Sequence, residues 1–477
     1  MKKNNQKHST FKVVCIALIV VVLLTWLLKL MQLNEAGTAF EFIKGEGSRK
    51  QVGLFDLFNY ITAIPQMFGY IPLYVLAVGG FYGVLYKTSG YRNLLNKLVN
   101  KYEGREWIFL TLVMIIFAVL TSVAGLSFAL ILLFPMVFAT MLLMGYSKTT
   151  AVMTTVGAVS VGVLGNTYSI SDAQAYLNTS FSMSANTDLK IRLVTLVLAL
   201  IILIINVLLY ARKHKTDEPR KGYLYPESNN KKAKTWPITL AFDILLIILV
   251  LSFMSWSATF DKDWFTKALE AVQKYKIAGF PILSKILGET GLVAFGTWSY
   301  TQLICVIVVM SLIIGLMSRV KLNDMIDGFI SGMNKALKPA LIAGFVYVFV
   351  YVNAYHPILY TIVNPIMHIS KTFNWISVIT LSIASVISHF LNVELYYSAY
   401  NMVSYLQVVF NNPKVFHVMA YILQSTYGLA LLFVPSSVVL VTTLSYSGVK
   451  YTRYFKAIWK LLLELLLLII IIGIILL

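Results

Sequence analysis

The sequence predicts an all-α polytopic membrane protein whose two halves repeat one plan, an inverted repeat with two re-entrant hairpins and two interrupted helices. Three observations carry this reading. Of 477 residues, 58% are hydrophobic and only 12% charged, and the mean hydropathy is +0.77, far more apolar than a soluble core of this size requires. The apolar residues fall into runs that match the roughly 20-residue helix needed to cross a bilayer core. Lys and Arg collect between those runs, as topology determinants do.

The net charge of +19 would suit nucleic acid if the basic residues lined one amphipathic face with interleaved aromatics. They do not, so the expected partner is the lipid bilayer and not nucleic acid. Cys15 and Cys305 both lie inside apolar runs, which leaves neither a disulfide framework nor a CxxC metal knuckle.

The N-terminus, Met1 to Lys12, is basic and leads into an apolar run from Val13 to Leu28. The small residues Ala36-Gly37-Thr38-Ala39 would allow signal cleavage, but the length of the run and Lys29 after it favour a retained first span over about Phe11 to Met31. A second span, Phe68 to Tyr86, ends at Lys87. The stretch after it carries Arg92, Lys97, Lys101 and Arg105 against Glu103 and is assigned to the cytoplasm. From Trp107 to Tyr146 two apolar arms flank Thr121-Ser-Val-Ala-Gly-Leu-Ser127. Either both arms cross fully, or they form a re-entrant hairpin; both readings return the chain to the same side.

Ala151 to Leu164 is a Thr- and Gly-rich half-helix broken at Gly165-Asn166-Thr167-Tyr168-Ser169, with Ser171 to Ala185 to complete the crossing and Leu193 to Tyr210 to return. Between Arg212 and Lys234 stand eight Lys and Arg against three acids, the strongest cytoplasmic mark in the chain. Ile238 to Trp256 crosses outward, a balanced segment from Ser257 to Ser299 lies outside, and Tyr300 to Met317 returns to Arg319 and Lys321. An amphipathic helix around Leu322 to Leu337 precedes an outward crossing from Pro339 to Asn353. The plan then recurs upside down. Trp375 to Leu391 and Tyr396 to Phe410 flank Asn392-Val-Glu-Leu395, bounded by Lys371 and Lys414. His417 to Tyr427 and Pro435 to Tyr446 form a broken span reaching Lys450 and Arg453, and Trp459 to Leu476 leaves again.

The chain therefore divides into residues 1–67, a first repeat at 68–210 (hairpin 107–146, broken helix 151–185), the basic loop 211–237, connecting helices at 238–338, and a second repeat at 339–477 (hairpin 375–410, broken helix 417–446). The N-terminus is expected in the cytoplasm and the C-terminus outside, in a cell (inner) membrane. Non-helical backbone at membrane depth is tolerated only where protein or a water-filled cavity covers it. Four such breaks in an inverted repeat mark a binding site. Half-helix N-termini there suit a carboxylate, and loose carbonyls suit Na⁺ or a proton carrier.

Gly79-Gly-Phe-Tyr-Gly83-Val-Leu-Tyr-Lys87-Thr-Ser-Gly90, Phe134-Pro135, Gly145-Tyr146 and Val161-Gly-Val-Leu-Gly165-Asn-Thr167 in the first half form one set of motifs. Gly328-Phe-Ile-Ser-Gly332, Val434-Pro435-Ser436-Ser437 and Gly448-Val-Lys450-Tyr451 form another in the second. Together they resemble the YfcC-like branch of the C4-dicarboxylate anaerobic carrier family, in the ion transporter superfamily with the aminobenzoyl-glutamate transporters. The resemblance covers nearly the whole chain. It implies an elevator-type fold with scaffold and transport domains, a homodimer, and secondary transport of dicarboxylates, amino acids or related carboxylates, often cation-coupled. Departures stand beside it. Phe128-Ala129 replaces the family's paired glutamates at the first hairpin tip, and Val393-Glu394-Leu395-Tyr396-Tyr397 replaces a Pro-Ser-Gly-Ser-Gly tip. Tyr427 and Leu431 stand where an Asp and an Asn are usual.

Glu394 is the sharpest candidate. A carboxylate at a hairpin tip in a membrane costs roughly 2.5–3.5 kcal/mol on insertion scales and by default implies function. The bland alternative places it at the outer interface. Asn166, Thr167 and Ser169 offer donors and acceptors after Gly165, against the alternative of a simple kink from hydroxyls bonding their own helix. Asn392 neighbours Glu394 at the second tip. Thr121 and Ser122 at the first tip are read as ligands or as small packing residues. Ser436 and Ser437 follow Pro435, with Gln424, Ser425 and Thr426 as additions. His389 reads as a packing residue, Asp243 and Glu464 as interfacial or paired, and Tyr396, Tyr397 and Tyr400 as a wall over a ligand or as interface anchors.

No Walker loop, HExxH, GxSxG or paired metal ligands occur. The expectation is a secondary active transporter, not an enzyme, working by uniport, cation symport or antiport, with no cofactor and with Na⁺ or a proton as the ion of any coupling. Its substrate is a small carboxylate-bearing metabolite. An amino acid is favoured, because Glu394 could face an ammonium, and exchange of basic amino acids is one specific version. A C4-dicarboxylate carrier and a non-transporting sensor or scaffold are the alternatives.

Overall fold

The structure is a computed structural model that describes residues 9–169, 171–216, 232–288, 291, 293–370 and 372–477. The basic N-terminal residues 1–8, the middle of the basic loop (217–231) and Lys371 lie outside the described residues. Among the described residues seven helices are long and apolar enough to cross a membrane, and eight if one bent pair forms a single span.

The first spanning helix, α1 (Ser9–Leu27), ends before Met31, short of the expected boundary. A small two-stranded element then interrupts the otherwise helical chain. β1 (Met31–Leu33) and β2 (Phe40–Phe42) pair antiparallel, and their connection is closed by the Asn34 side-chain oxygen, which accepts from the N–H groups of Thr38 (2.8 Å) and Ala39 (3.2 Å). A helix absent from the sequence reading, α2 (Leu54–Phe68), meets α3 (Tyr70–Lys87) at a 64° bend. Asp56 caps its start by accepting from Gly53 N–H at 2.7 Å.

The amphipathic α4 (Ser89–Lys101) leads to a hairpin of α5 (Glu106–Ala124), a 3-10 turn (Phe128–Leu132) and α6 (Phe134–Leu143). Then come α7 (Lys148–Leu164), α8 (Asp172–Ser180) and α9 (Leu189–His214). The second half starts with α10 (Trp236–Phe253), the short α11 (Trp256–Phe260), α12 (Trp264–Lys274) and α13 (Ile282–Leu287), and α14 (Tyr300–Met317). It continues with α15 (Leu322–Phe345), α16 (Val348–Tyr355) and α17 (Leu359–Met367). A second hairpin, α18 (Trp375–Leu391) and α19 (Leu395–Val409), precedes the broken pair α20 (Phe416–Leu431) and α21 (Val438–Ser447), and α22 (Tyr451–Ile475) closes the chain.

Pro339 lies inside α15 instead of starting a new crossing; a membrane helix carries an internal proline where neighbouring helices cover the freed groups, and Pro339 is buried. α15 packs on α3 through glycines. A Cβ on Gly79 would stand 2.7 Å from the Gly332 carbonyl oxygen, and one on Gly328 2.9 Å from that of Gly83. The spacing Gly79/Gly83 against Gly328/Gly332 thus lets two backbones touch, as small-residue membrane interfaces do.

At the centre lie α7 and α20. Every residue of α7 from Thr149 to Leu164 is buried, and α20 is buried along nearly its whole length. Helices this enclosed read in sequence as apolar all round. Their hydroxyls turn inward on the helix: Thr154 donates to Thr150 O (3.0 Å) and Thr426 to Ile422 O (2.6 Å).

Candidate functional site

The first hairpin turns at Gly125, whose φ of +72° the left-handed region reserves largely for glycine. Thr121 Oγ1 closes the turn by donating to Leu126 O at 2.8 Å. Behind it, Ser122 joins the tip to the α7 break. Its Oγ donates to Gly165 O (2.7 Å) and meets Thr167 Oγ1 at 2.9 Å, while its carbonyl accepts from Thr167 N (3.1 Å) and Ser169 N (3.3 Å). Arg192, near the start of α9, satisfies carbonyls of the same break, donating to Asn166 O (3.4 Å), Thr167 O (3.1 Å) and Ala185 O (2.6 Å). Arg192 is marked in the sequence only as an arginine at the edge of an apolar run, where a charge reads as an ordinary span boundary.

The second hairpin turns at Asn392–Glu394. Asn392 donates to Ser388 O (2.8 Å), and its oxygen accepts from Asn353 (2.8 Å) and Asn401 (3.3 Å). Glu394 sits at the N-terminus of α19, where Tyr347 donates to its Oε1 at 2.6 Å. His389 does not reach Glu394; its Nε2 contacts Leu423 O and Thr426 Oγ1, both at 3.1 Å. At the second break Ser437 accepts from Leu440 N (3.3 Å) and donates to Leu431 O (2.9 Å), and Ser436 donates to His389 O (3.3 Å).

The two broken helices strap each other. Gln424 donates to Val163 O (2.9 Å) and Ser425 to Leu164 O (3.1 Å), so α20 side chains cap the carbonyl end of α7. Ser160 donates in return to Gly428 O.

Between the tips and the breaks lies a cavity of about 640 Å³. Of the predicted residues, Glu394, Asn166, Ser169 and Thr121 line it, together with Gln424, Tyr396 and Tyr397. Ser122, Thr167, Asn392, Ser436 and Ser437 lie behind the lining, holding the tips and breaks in shape. Tyr70, Tyr300, Tyr347 and Asp172 complete the wall without having been singled out by sequence. Tyrosines near span ends read as interface anchors, and Asp172 as an ordinary acidic first-turn residue of α8.

The lining has a one-sided chemistry. It contains two carboxylates, Glu394 and Asp172, and no Lys, Arg or His among the described residues. Two amide oxygens, Asn166 Oδ1 and Gln424 Oε1, are buried without a partner. In each amide the nitrogen is already fixed by donating to a backbone carbonyl, Ser169 O at 3.1 Å and Val163 O at 2.9 Å, so the oxygen is the group left over. A buried oxygen left without a donor costs about 1–3 kcal/mol, and neither oxygen is accessible from the cavity in this conformation.

A family-level comparison matches residues 8–477 to DcuC, the C4-dicarboxylate anaerobic carriers. The chain belongs to this family. It is a multi-pass membrane carrier. Among solved structures the carrier is similar to the YdaH transporter of Alcanivorax borkumensis, with 11% identity, 98% of each chain covered and a TM-score of 0.39. It is also similar to MtrF of Neisseria gonorrhoeae, described as illuminating a class of antimetabolite efflux pumps, with 11% identity, 98% of this chain and 94% of that one covered, and a TM-score of 0.37. A search of curated proteins gave no significant match.

Proposed function

We propose that the protein is a secondary active carrier of a small amine-bearing metabolite, an amino acid in preference to a dicarboxylate, with exchange of basic amino acids as the specific version. The observation that carries this is the acidic cavity: Glu394 and Asp172 line it, with no basic side chain in the described lining. An ammonium offers three donors to such acceptors. A doubly charged C4-dicarboxylate would instead meet like charge, worth about 4 kcal/mol per pair at 4 Å and an effective dielectric constant near 20.

The amino acid's own carboxylate is assigned to the start of α21, where Val438 and Val439 line the cavity and the first N–H groups of a helix lack intrahelical partners, Leu440 N alone being capped by Ser437. The same N-terminus favours the alternative reading, an organic-anion carrier in keeping with the family's description. In that case Na⁺ or a proton would have to neutralise the two carboxylates.

The surrounding architecture belongs to this proposal. We read residues 68–210 and 339–477 as the inverted repeat, the protein as a homodimer of the YfcC-like branch in the inner membrane with its N-terminus in the cytoplasm, and Na⁺ or H⁺ as the ion of any coupling. Counterflow in proteoliposomes tests the function. Vesicles loaded with ornithine should take up labelled arginine, and vesicles loaded with succinate should not take up labelled succinate. Succinate exchange without arginine exchange would establish the organic-anion reading. Absence of both, across an amino-acid and dicarboxylate panel with imposed Na⁺ and proton gradients, would favour a sensor or scaffold.

A further inference from the structure

Away from the cavity, the C-terminal end of α9 and the first turns of α22 meet around a separate recess of about 870 Å³. Its walls carry Lys213 and Lys215 from α9 and the residue after it, and Lys450, Arg453 and Lys456 from the start of α22. These come from opposite halves of the chain. Ser147 and Thr149, at the N-terminus of α7, form its floor, and Ser147 is the N-cap of that helix, accepting from Thr150 N at 3.1 Å. The end of α9 is held in place: Thr216 N donates to Gly145 O at 3.1 Å, and Lys215 pairs with Glu106 at 3.0 Å. Lys213, Lys450, Arg453 and Lys456 are all exposed.

The positive-inside rule accounts for basic residues on this side of the membrane, but not for their convergence on one concave site. Exposed apolar side chains stand next to the basic ones in sequence. Leu209 on α9, and Phe455 and Trp459 on α22, are large exposed apolar side chains within about a turn of the basic ones. A charged head and two acyl chains would both find their surroundings here.

We propose that this recess binds the phosphate headgroup of an anionic phospholipid, with Lys213, Lys450, Arg453 and Lys456 around the phosphate and the acyl chains running along the exposed faces of α9 and α22. Arginine and lysine clusters at the cytoplasmic ends of membrane helices are suited to this chemistry, and an arginine can grip phosphate oxygens in pairs. Because α9 and α22 pack directly on α7, the lipid would tie together the helices that frame the central site.

Native mass spectrometry of the full-length protein, released from detergent containing equal phosphatidylglycerol and phosphatidylcholine, tests the proposal. The expected result is one phosphatidylglycerol retained with at least a tenfold preference, reduced to near parity in Arg453→Gln/Lys456→Gln and unchanged in the control pair Lys97→Gln/Lys101→Gln on α4. Should the first pair fail to give a monodisperse protein, Lys213→Gln/Lys450→Gln removes charge from the other contributions to the recess and is read in the same way. An undiminished preference in the recess variants overturns the proposal. So does inorganic phosphate displacing the lipid at equal concentration, which would make the recess a site for soluble phosphate.

Discussion

Glu394→Gln isolates charge from shape at the second hairpin tip. The glutamine is nearly isosteric and still offers a carbonyl oxygen to Tyr347, whose hydroxyl donates to Glu394 Oε1 at 2.6 Å, so the packing of the tip should survive. What disappears is the charge an ammonium would meet. Hydrogen bonds to charged groups contribute about 1.5–3 kcal/mol, and each 1.4 kcal/mol is a factor of ten in affinity, so binding of an amine-bearing substrate should weaken roughly 10- to 150-fold. Stability of the ligand-free protein should not fall, because insertion scales put the burden of a membrane-embedded charge at roughly 2.5–3.5 kcal/mol. The assay is a paired one on purified protein: ligand affinity by radioligand binding, and unfolding by thermal shift with and without ligand. Unchanged affinity for every solute that binds the wild type would refute the assignment. A ligand-free protein destabilised by several degrees would show that Glu394 acts in folding.

The geometry around the cavity sets further outcomes. Gln424→Leu removes a buried oxygen that has no donor and also the donor to Val163 O; the two effects oppose each other, so stability should change by less than about 1 kcal/mol, read by thermal shift. A Cβ at Gly428 would stand 2.5 Å from Leu164 Cα, so Gly428→Ala should force α7 and α20 apart and destabilise by about 1–3 kcal/mol, seen as a lower midpoint of thermal unfolding. Ser122→Ala and Thr167→Val break one contact from its two ends; their double-mutant cycle should show a coupling of about 0.5–1.5 kcal/mol, and additive effects would mean that the tip and the break are not joined there. Arg192→Lys keeps the charge but loses the fork that reaches Asn166, Thr167 and Ala185 carbonyls, so it should lower both thermal stability and uptake.

Much of the fold is legible in the sequence because the bilayer imposes strong rules. Trp375–Leu391 stands out as a predominantly apolar stretch free of Asp, Glu, Lys and Arg, and the structure starts α18 at the same residue because Asn374 caps it, accepting from Ile376 N (2.9 Å) and Ser377 N (3.3 Å). The breaks at Gly165 and Pro435 are visible for the same reason: backbone cannot go irregular in a membrane without sequence marks. α2 escapes notice because Leu54–Phe68 mixes Asp56, Asn59 and Pro65 with its apolar residues and so carries no spanning signal. Pro339 reads on local grounds as a helix boundary, but burial within the packed bundle overrides that preference. In the site, Glu394 is legible as a charge in an apolar setting. Its partner Tyr347, and the division between residues that face the cavity and those that fix the tips, depend on how distant segments pack. No local pattern encodes that.

Calorimetric titration of the purified wild-type protein with arginine and with succinate separates an amine-binding cavity from a dicarboxylate-binding one. Saturable binding of arginine is expected and none of succinate over the same concentration range, in keeping with a cavity lined by Glu394 and Asp172 and by no basic side chain among the described residues. Saturable binding of succinate, with arginine inert, would contradict it.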